Sequence, residues 1–257
     1  MYKYILSVSI FYCIACSANA QPKNYTVSNA HSHNDYVHPD LFYAAYSEGF
    51  GSIEADIFLY QDQLIIGHDT ADLKAGRTLE KYYLVPLDSC VRKNGHKQVY
   101  QKKKKQLILL IDIKTSPKET LNKLVSILEK FPLLISNPTL RFVITGNRPS
   151  PELYTSYPKY IWFDGILSDH YESEALSRIV MMSDNFRKYA GWDGKTDISA
   201  SDKEKLLKSI RSSHALNKPV RFWNAPDTIL AWKQFMQLGA DYINTDHIRE
   251  LAAFLKK

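Results

Sequence analysis

The chain is 257 residues long and carries 33 Lys and Arg against 27 Asp and Glu, a formal net charge of +6 at pH 7. With 45% hydrophobic and 23% charged residues, and only 10 Gly and 11 Pro, it falls outside the disordered, collagen-like and coiled-coil classes. The positive excess is too small to argue for nucleic acid, and no such partner is expected.

The N-terminus combines Lys3, an apolar run over 5–16, and Ala18 and Ala20 in an A-x-A arrangement before Gln21. This pattern predicts a secretory signal peptide over 1–20, cleaved after Ala20, and a secreted or periplasmic protein. Lipoprotein processing at Cys16 is the lesser alternative. Cleavage after Ala20 removes Cys13 and Cys16 and leaves Cys90, which cannot form an internal disulfide alone. No later stretch reaches the length of a membrane span, so no transmembrane segment is expected. Residues 21–257 are predicted to form one domain.

From residue 25 onward, strand-like and helix-like segments alternate. Strands are expected over 25–31, 52–59, 107–114, 141–147, 162–167, 179–184, 220–225 and 241–246. Amphipathic helices are expected over 39–49, 116–131, 200–217 and 227–239. "SPKE" and "SDKE" each place Ser three residues before Glu, as in a capping box. Gly49 and Gly239 stand where helices would stop. The run 63–69 follows the second strand too closely for a crossover helix and is predicted to be its hairpin partner. Such alternation implies an α/β fold with parallel pairing, a TIM (β/α)₈ barrel with a small hairpin inserted after strand 2. The run 101–105, "QKKKK", is expected to be a solvated loop.

Barrel chemistry collects where strands end. Residues i and i+2 of a strand share a face, which pairs His31 with His33, Glu54 with Asp56, and Asp112 with Lys114. Like charges on one strand face repel, and a buried carboxylate is costly unless it is paired or bound to a cation. His68 closes the hairpin run in phase with Leu64 and Ile66. Three carboxylates, a lysine and two or three histidines at strand ends make a metal site of hard oxygen ligands, suited to Mg²⁺ or Ca²⁺. A cation beside a lysine neutralises phosphate oxygens, and histidines move protons. This is equipment for cleaving a phosphodiester.

The series "AH" (30–31), "IEAD" (53–56), "LIIGHD" (64–69) and "IDIK" (111–114) resembles the glycerophosphodiester phosphodiesterases within the PI-PLC-like phosphodiesterase superfamily. The similarity extends through "RFWNAPD" (221–227) and "GADYINTDHIREL" (239–251). The resemblance implies His31 and His68 as acid and base, Glu54, Asp56 and Asp112 as metal ligands, and Lys114 as a phosphate contact. It also brings Trp223 to the substrate, a small phosphodiester or phospholipid-derived molecule, and His33 and Asn244 are expected to bind that substrate as well. The family's H-R-G is here His31-Ser32-His33, so its arginine is absent, and the third carboxylate is Asp112, as in the spider-venom phospholipase D branch. "HSHNDY" with "EAD" and "GHD" is similar to the altered inheritance of mitochondria 6-like subgroup. Two rival readings stay open: an amidohydrolase- or PHP-type metal hydrolase using His31-x-His33, and a non-catalytic ligand-binding barrel.

Overall fold

The computed structural model describes Pro22, residues 24–101 and residues 105–257. The segment expected to be a signal peptide, with Cys13 and Cys16, lies outside the described residues, as does most of the lysine run at 102–104. Nine strands appear in chain order: β1 (Ala30–Ser32), β2 (Ser52–Tyr60), β3 (Gln63–Ile66), β4 (Leu107–Ile113), β5 (Leu140–Gly146), β6 (Ile161–Ile166), β7 (Ile179–Asn185), β8 (Val220–Trp223) and β9 (Ile243–Thr245). Their order is β8-β7-β6-β5-β4-β2-β1-β9, all parallel, with β3 antiparallel on β2. A parallel bridge from Arg221 to Tyr242 brings the two ends together, so eight strands form a nearly closed barrel and β3 is the hairpin outside it. The TIM barrel with its inserted hairpin is therefore observed.

The helices are α1 (Phe42–Glu48), α2 (Val85–Lys93), α3 (Pro117–Leu128), α4 (Pro132–Ile135), α5 (Ser173–Leu176), α6 (Ala200–Ala215), α7 (Ile229–Leu238) and α8 (Ile248–Leu255). Gly49 and Gly239 end α1 and α7 in the left-handed conformation, as expected. The first expected strand is shorter, because Val27–Asn29 form a 3-10 turn before β1. The helix expected over 116–131 stops at Leu128, and α4 starts separately at Pro132, whose ring cannot continue a helix. Neither expected capping box forms. The Ser116 hydroxyl bonds the Glu119 carboxylate and caps no backbone N–H, and Ser199, not Ser201, caps α6 by accepting from Asp202 N. Short turns replace full helices between β5, β6 and β7. Among the described residues, no helix is long and apolar enough to cross a membrane.

Strand β4 shows how the fold places its chemistry. Leu107, Leu109, Ile111 and Ile113 face the helices and join the main core, while Ile108 and Leu110 point into the barrel and pack with Val143 and Met181. That apolar plug fills the lower barrel, and each such side chain contributes about 1.5–3 kcal/mol. The next residues on the inward face are Asp112 and Lys114. Polar groups reach the mouth because the layer below is closed to water.

Asp35, in the loop after β1, is fully buried and accepts hydrogen bonds from Ser32 Oγ (2.8 Å) and Tyr83 OH (2.9 Å). Burial pushes its carboxyl up to about 6, although both hydrogen bonds oppose the rise. The unfolded chain releases this proton near pH 4 and the folded chain only near pH 6. Stability from this residue should therefore be lost as pH rises through that window, by on the order of 2–3 kcal/mol. Urea unfolding of wild type and Asp35→Asn at pH 4 and pH 7 checks this. The wild type should lose ground to the variant at the higher pH, and a pH-independent difference would contradict it.

Candidate active site at the barrel mouth

Glu54 and Asp56 on β2 and Asp112 on β4 meet at the C-terminal end of the barrel, where the register sets Asp56 beside Asp112. Each offers an oxygen within 4.8 Å of the others. Glu54 and Asp56 are 4% and 2% exposed. Lys114 Nζ lies 2.9 Å from Asp56 Oδ2 and 3.0 Å from Asp112 Oδ2. Arg221 pairs with Glu54, which leaves one lysine against the two acids Asp56 and Asp112. Burial and the charges of Glu54 and Asp112 push Asp56 up to about 6, against the pull of Lys114. Burial and Glu54 likewise raise Asp112. Asp56 Oδ1 and Asp112 Oδ1 are buried and have no hydrogen-bond partner. Two orphaned carboxylate oxygens beside a third acid fit a divalent cation with hard oxygen ligands. Gly146, at the end of β5 with φ +70°, permits the approach, since a Cβ there would lie 2.0 Å from Asp112 Oδ1.

The two first-strand histidines occupy different depths. His31 is fully buried, with Nδ1 2.8 Å from Ser52 Oγ and Nε2 2.8 Å from Glu54 Oε2 and 2.7 Å from the Arg221 guanidinium. Burial and the Arg221 charge lower it to about 4, so its ring is neutral at pH 7. His33 lies above it and lines the cavity, with Nδ1 2.9 Å from Asp246 Oδ1. Burial alone would lower His33, but the hydrogen bond to Asp246 and the charge of Glu54 outweigh it and raise the ring above its usual value. Asp246 is itself fixed, because its backbone N–H donates to Asp227 Oδ2 (2.7 Å). His68 stands on the opposite side, just beyond β3, with its side chain 63% exposed. The Tyr36 hydroxyl links the halves, 2.8 Å from Asp56 Oδ2 and 3.1 Å from His68 Nδ1.

Of the residues named from the sequence, Glu54, Asp56, Asp112, Lys114, His33, His68 and Trp223 line one cavity of about 470 Å³. His31 and Asn244 do not. Asn244 Oδ1 accepts from Arg221 at 3.1 Å and meets the site through that contact. Among the described residues, the carboxylate trio is the one cluster with metal-ligand spacing, and neither His31 nor His33 belongs to it. The rival amidohydrolase-type site therefore lacks its histidine pair.

Arg221, Tyr36 and Asp164 were not singled out in the sequence. Arg221 is 2% exposed and joins Glu54 (3.2 Å) to Asp164 (3.7 Å) across the barrel floor. Burial would raise Glu54, but the Arg221 guanidinium and His31 hold its carboxyl well below the usual carboxylate range. A signal for Arg221 existed: it shares a face with Trp223 in an otherwise apolar strand.

Comparison with known proteins gives a consistent result. The family profile described as AIM6-like phosphodiesterase domain matches residues 21–133, and that of the glycerophosphoryl diester phosphodiesterase family matches residues 219–248. Altered inheritance of mitochondria protein 6 homolog from Arthroderma benhamiae is 25% identical, over 85% of this chain and 81% of that protein. Altered inheritance of mitochondria protein 6 from Eremothecium gossypii is 24% identical, over 89% of this chain and 69% of that protein. Among solved structures, a glycerophosphodiester phosphodiesterase from Parabacteroides distasonis superposes with TM-score 0.53 at 12% identity, covering 90% of this chain and 95% of that one. A calcium-dependent phosphoinositol-specific phospholipase C from Pseudomonas sp. superposes with TM-score 0.56 at 12% identity, covering 86% and 88%. At such identities these two establish the fold.

The expected location is overturned. The secreted or periplasmic location, with its lipoprotein alternative, is contradicted by relatives whose names refer to mitochondria. A lysine followed by a short apolar run is a compositional cue and does not by itself fix a destination. The motifs, the profiles and the fold point the same way: the chain matches the AIM6-like phosphodiesterase domain over residues 21–133 and the glycerophosphoryl diester phosphodiesterase family over residues 219–248, on a barrel like those of a glycerophosphodiester phosphodiesterase and a phosphoinositol-specific phospholipase C.

Proposed function

We propose that the protein is a metal-dependent phosphodiesterase acting on a small or phospholipid-derived diester, with Mg²⁺ or Ca²⁺ held by Glu54, Asp56 and Asp112. The observation that carries this reading is the pair of orphaned oxygens on Asp56 and Asp112, beside Lys114 and below a cavity flanked by two histidines. When bound there, a divalent cation supplies positive charge to the non-bridging phosphate oxygens. Lys114 contacts the same phosphate and keeps Asp56 and Asp112 apart from each other's charge.

His33 is the base of this mechanism, because it faces the cavity and Asp246 holds its far nitrogen, leaving Nε2 for substrate. It takes the proton from the attacking oxygen, water or a neighbouring hydroxyl of the substrate, as the new P–O bond forms. His68 gives a proton to the departing alkoxide as the other P–O bond breaks. His31 supports the floor by contacting Glu54 and Arg221. Trp223, 38% exposed at the end of β8, forms a wall for the alcohol portion. Incubation with a panel of glycerophosphodiesters, followed by ³¹P NMR, tests the reading. Conversion to a phosphomonoester or a cyclic phosphate is expected, and an unchanged spectrum for every diester would refute it.

A further inference from the structure

Four cationic side chains line the cavity: Lys114, Arg148, Lys188 and Arg221. Three are matched by acids. Lys114 pairs with Asp56 and Asp112, Lys188 with Asp184 at 2.8 Å, and Arg221 with Glu54 and Asp164. Arg148 differs. Among the described residues it forms no ion pair, and its NH1 donates to the main-chain oxygen of Asp164. A guanidinium has five N–H donors in a planar fork suited to bidentate binding of an anion.

The nearby carboxylates are already engaged. Asp164 accepts from Ser183 Oγ (2.8 Å) and Thr145 Oγ1 (3.2 Å), and Asp184 from Tyr189 OH (2.9 Å) as well as Lys188. The contact with Asp164 ties Arg148 to β6, two strands round the barrel from β4, which is about 10 Å at ordinary strand spacing. Its anchor point therefore lies on the β6 side of the cavity, away from the strand that carries Asp112 and Lys114. The cavity, about 470 Å³, is large enough for the phosphate being cleaved and the part of a substrate beyond it.

We infer that Arg148 forms a subsite for a second anionic group, carried on the alcohol moiety of the diester. This rests on the phosphodiesterase reading above and narrows it to substrates whose head group is itself negatively charged. The test compares kcat/KM for two substrates that differ only at one end: glycerophosphoglycerol, and the same diester with a terminal phosphate. Wild type should prefer the terminal phosphate by about tenfold or more, the range of a charge-assisted hydrogen bond. The ratio should fall toward one in Arg148→Gln and recover in part in Arg148→Lys. Equal constants in wild type would overturn the subsite alone. A loss that is equal for both substrates in Arg148→Gln would overturn it too, by assigning the guanidinium to the phosphate being cleaved. If wild type cleaves neither of these nor any other diester of the ³¹P NMR panel, the phosphodiesterase reading falls and the subsite falls with it; turnover of other diesters but of neither of these overturns the subsite alone.

Discussion

Asp112→Asn should lower phosphodiester turnover by roughly 10³-fold or more, the scale on which removal of a transition-state charge partner acts. The substitution keeps the shape of the side chain but removes the charge from a group whose Oδ1 has no protein partner and whose Oδ2 contacts Lys114. The fold should persist, because the residue lies at the mouth, above the plug of Ile108, Leu110, Val143 and Met181. Thermal stability should hold or rise, since burial and Glu54 already disfavour the ionised form of Asp112. Calorimetric titration with Mg²⁺ or Ca²⁺ should show weaker binding in the same variant. Gly146→Ala should reproduce both losses without removing a carboxylate, because its new methyl would displace Asp112 Oδ1. An Asp112→Asn protein with near wild-type turnover would rule out the trio as a metal site.

His33→Ala should cost about 10²–10⁴ in turnover, the range for general acid–base groups, and leave a folded protein. His31→Ala should behave differently. Its ring is sealed between Ser52, Glu54 and Arg221, so its loss opens a buried polar hole and lowers stability. The orienting carboxylate gives a sharper test. Asp246 and Glu54 together raise His33 against the effect of burial, so Asp246→Asn removes the Asp246 contribution and leaves Glu54 alone to oppose burial. The acid limb of the kcat/KM profile should move to lower pH in that variant, because a base with a lower pKa stays neutral further into acid. A diester with a nitrophenolate leaving group should rescue His68→Ala and not His33→Ala, since a good leaving group needs little protonation. Rescue of both, or of neither, would remove the division of roles.

Period-two patterning made most of this site visible in advance. In "LILLIDIK" (107–114) the alternation places Ile108, Leu110, Asp112 and Lys114 on the inward face, and the structure shows that face running from apolar plug to charged mouth. The same alternation brings Glu54 and Asp56 together on β2. It could not separate His31 from His33, because both share the inward face and differ only in depth along the barrel axis. Depth depends on the stagger between β1, β2 and β9, which no local pattern encodes. Helix α2 is not among the helices expected from the sequence, and it continues directly from a π-helical turn over Glu80–Leu84 that precedes Pro86. Arg221 was hidden by its partners, since Glu54, His31, Asp164 and Asn244 come from distant parts of the chain.

The central claim is that this barrel mouth cleaves phosphodiesters only with a cation on its three carboxylates. Its most direct test is the rate of diester turnover by metal-stripped protein as free Mg²⁺ or Ca²⁺ is raised from zero. The account predicts no turnover at the start and a saturable rise with one cation per chain, absent in Asp112→Asn. A full rate in metal-stripped protein, unchanged across the titration, would contradict it.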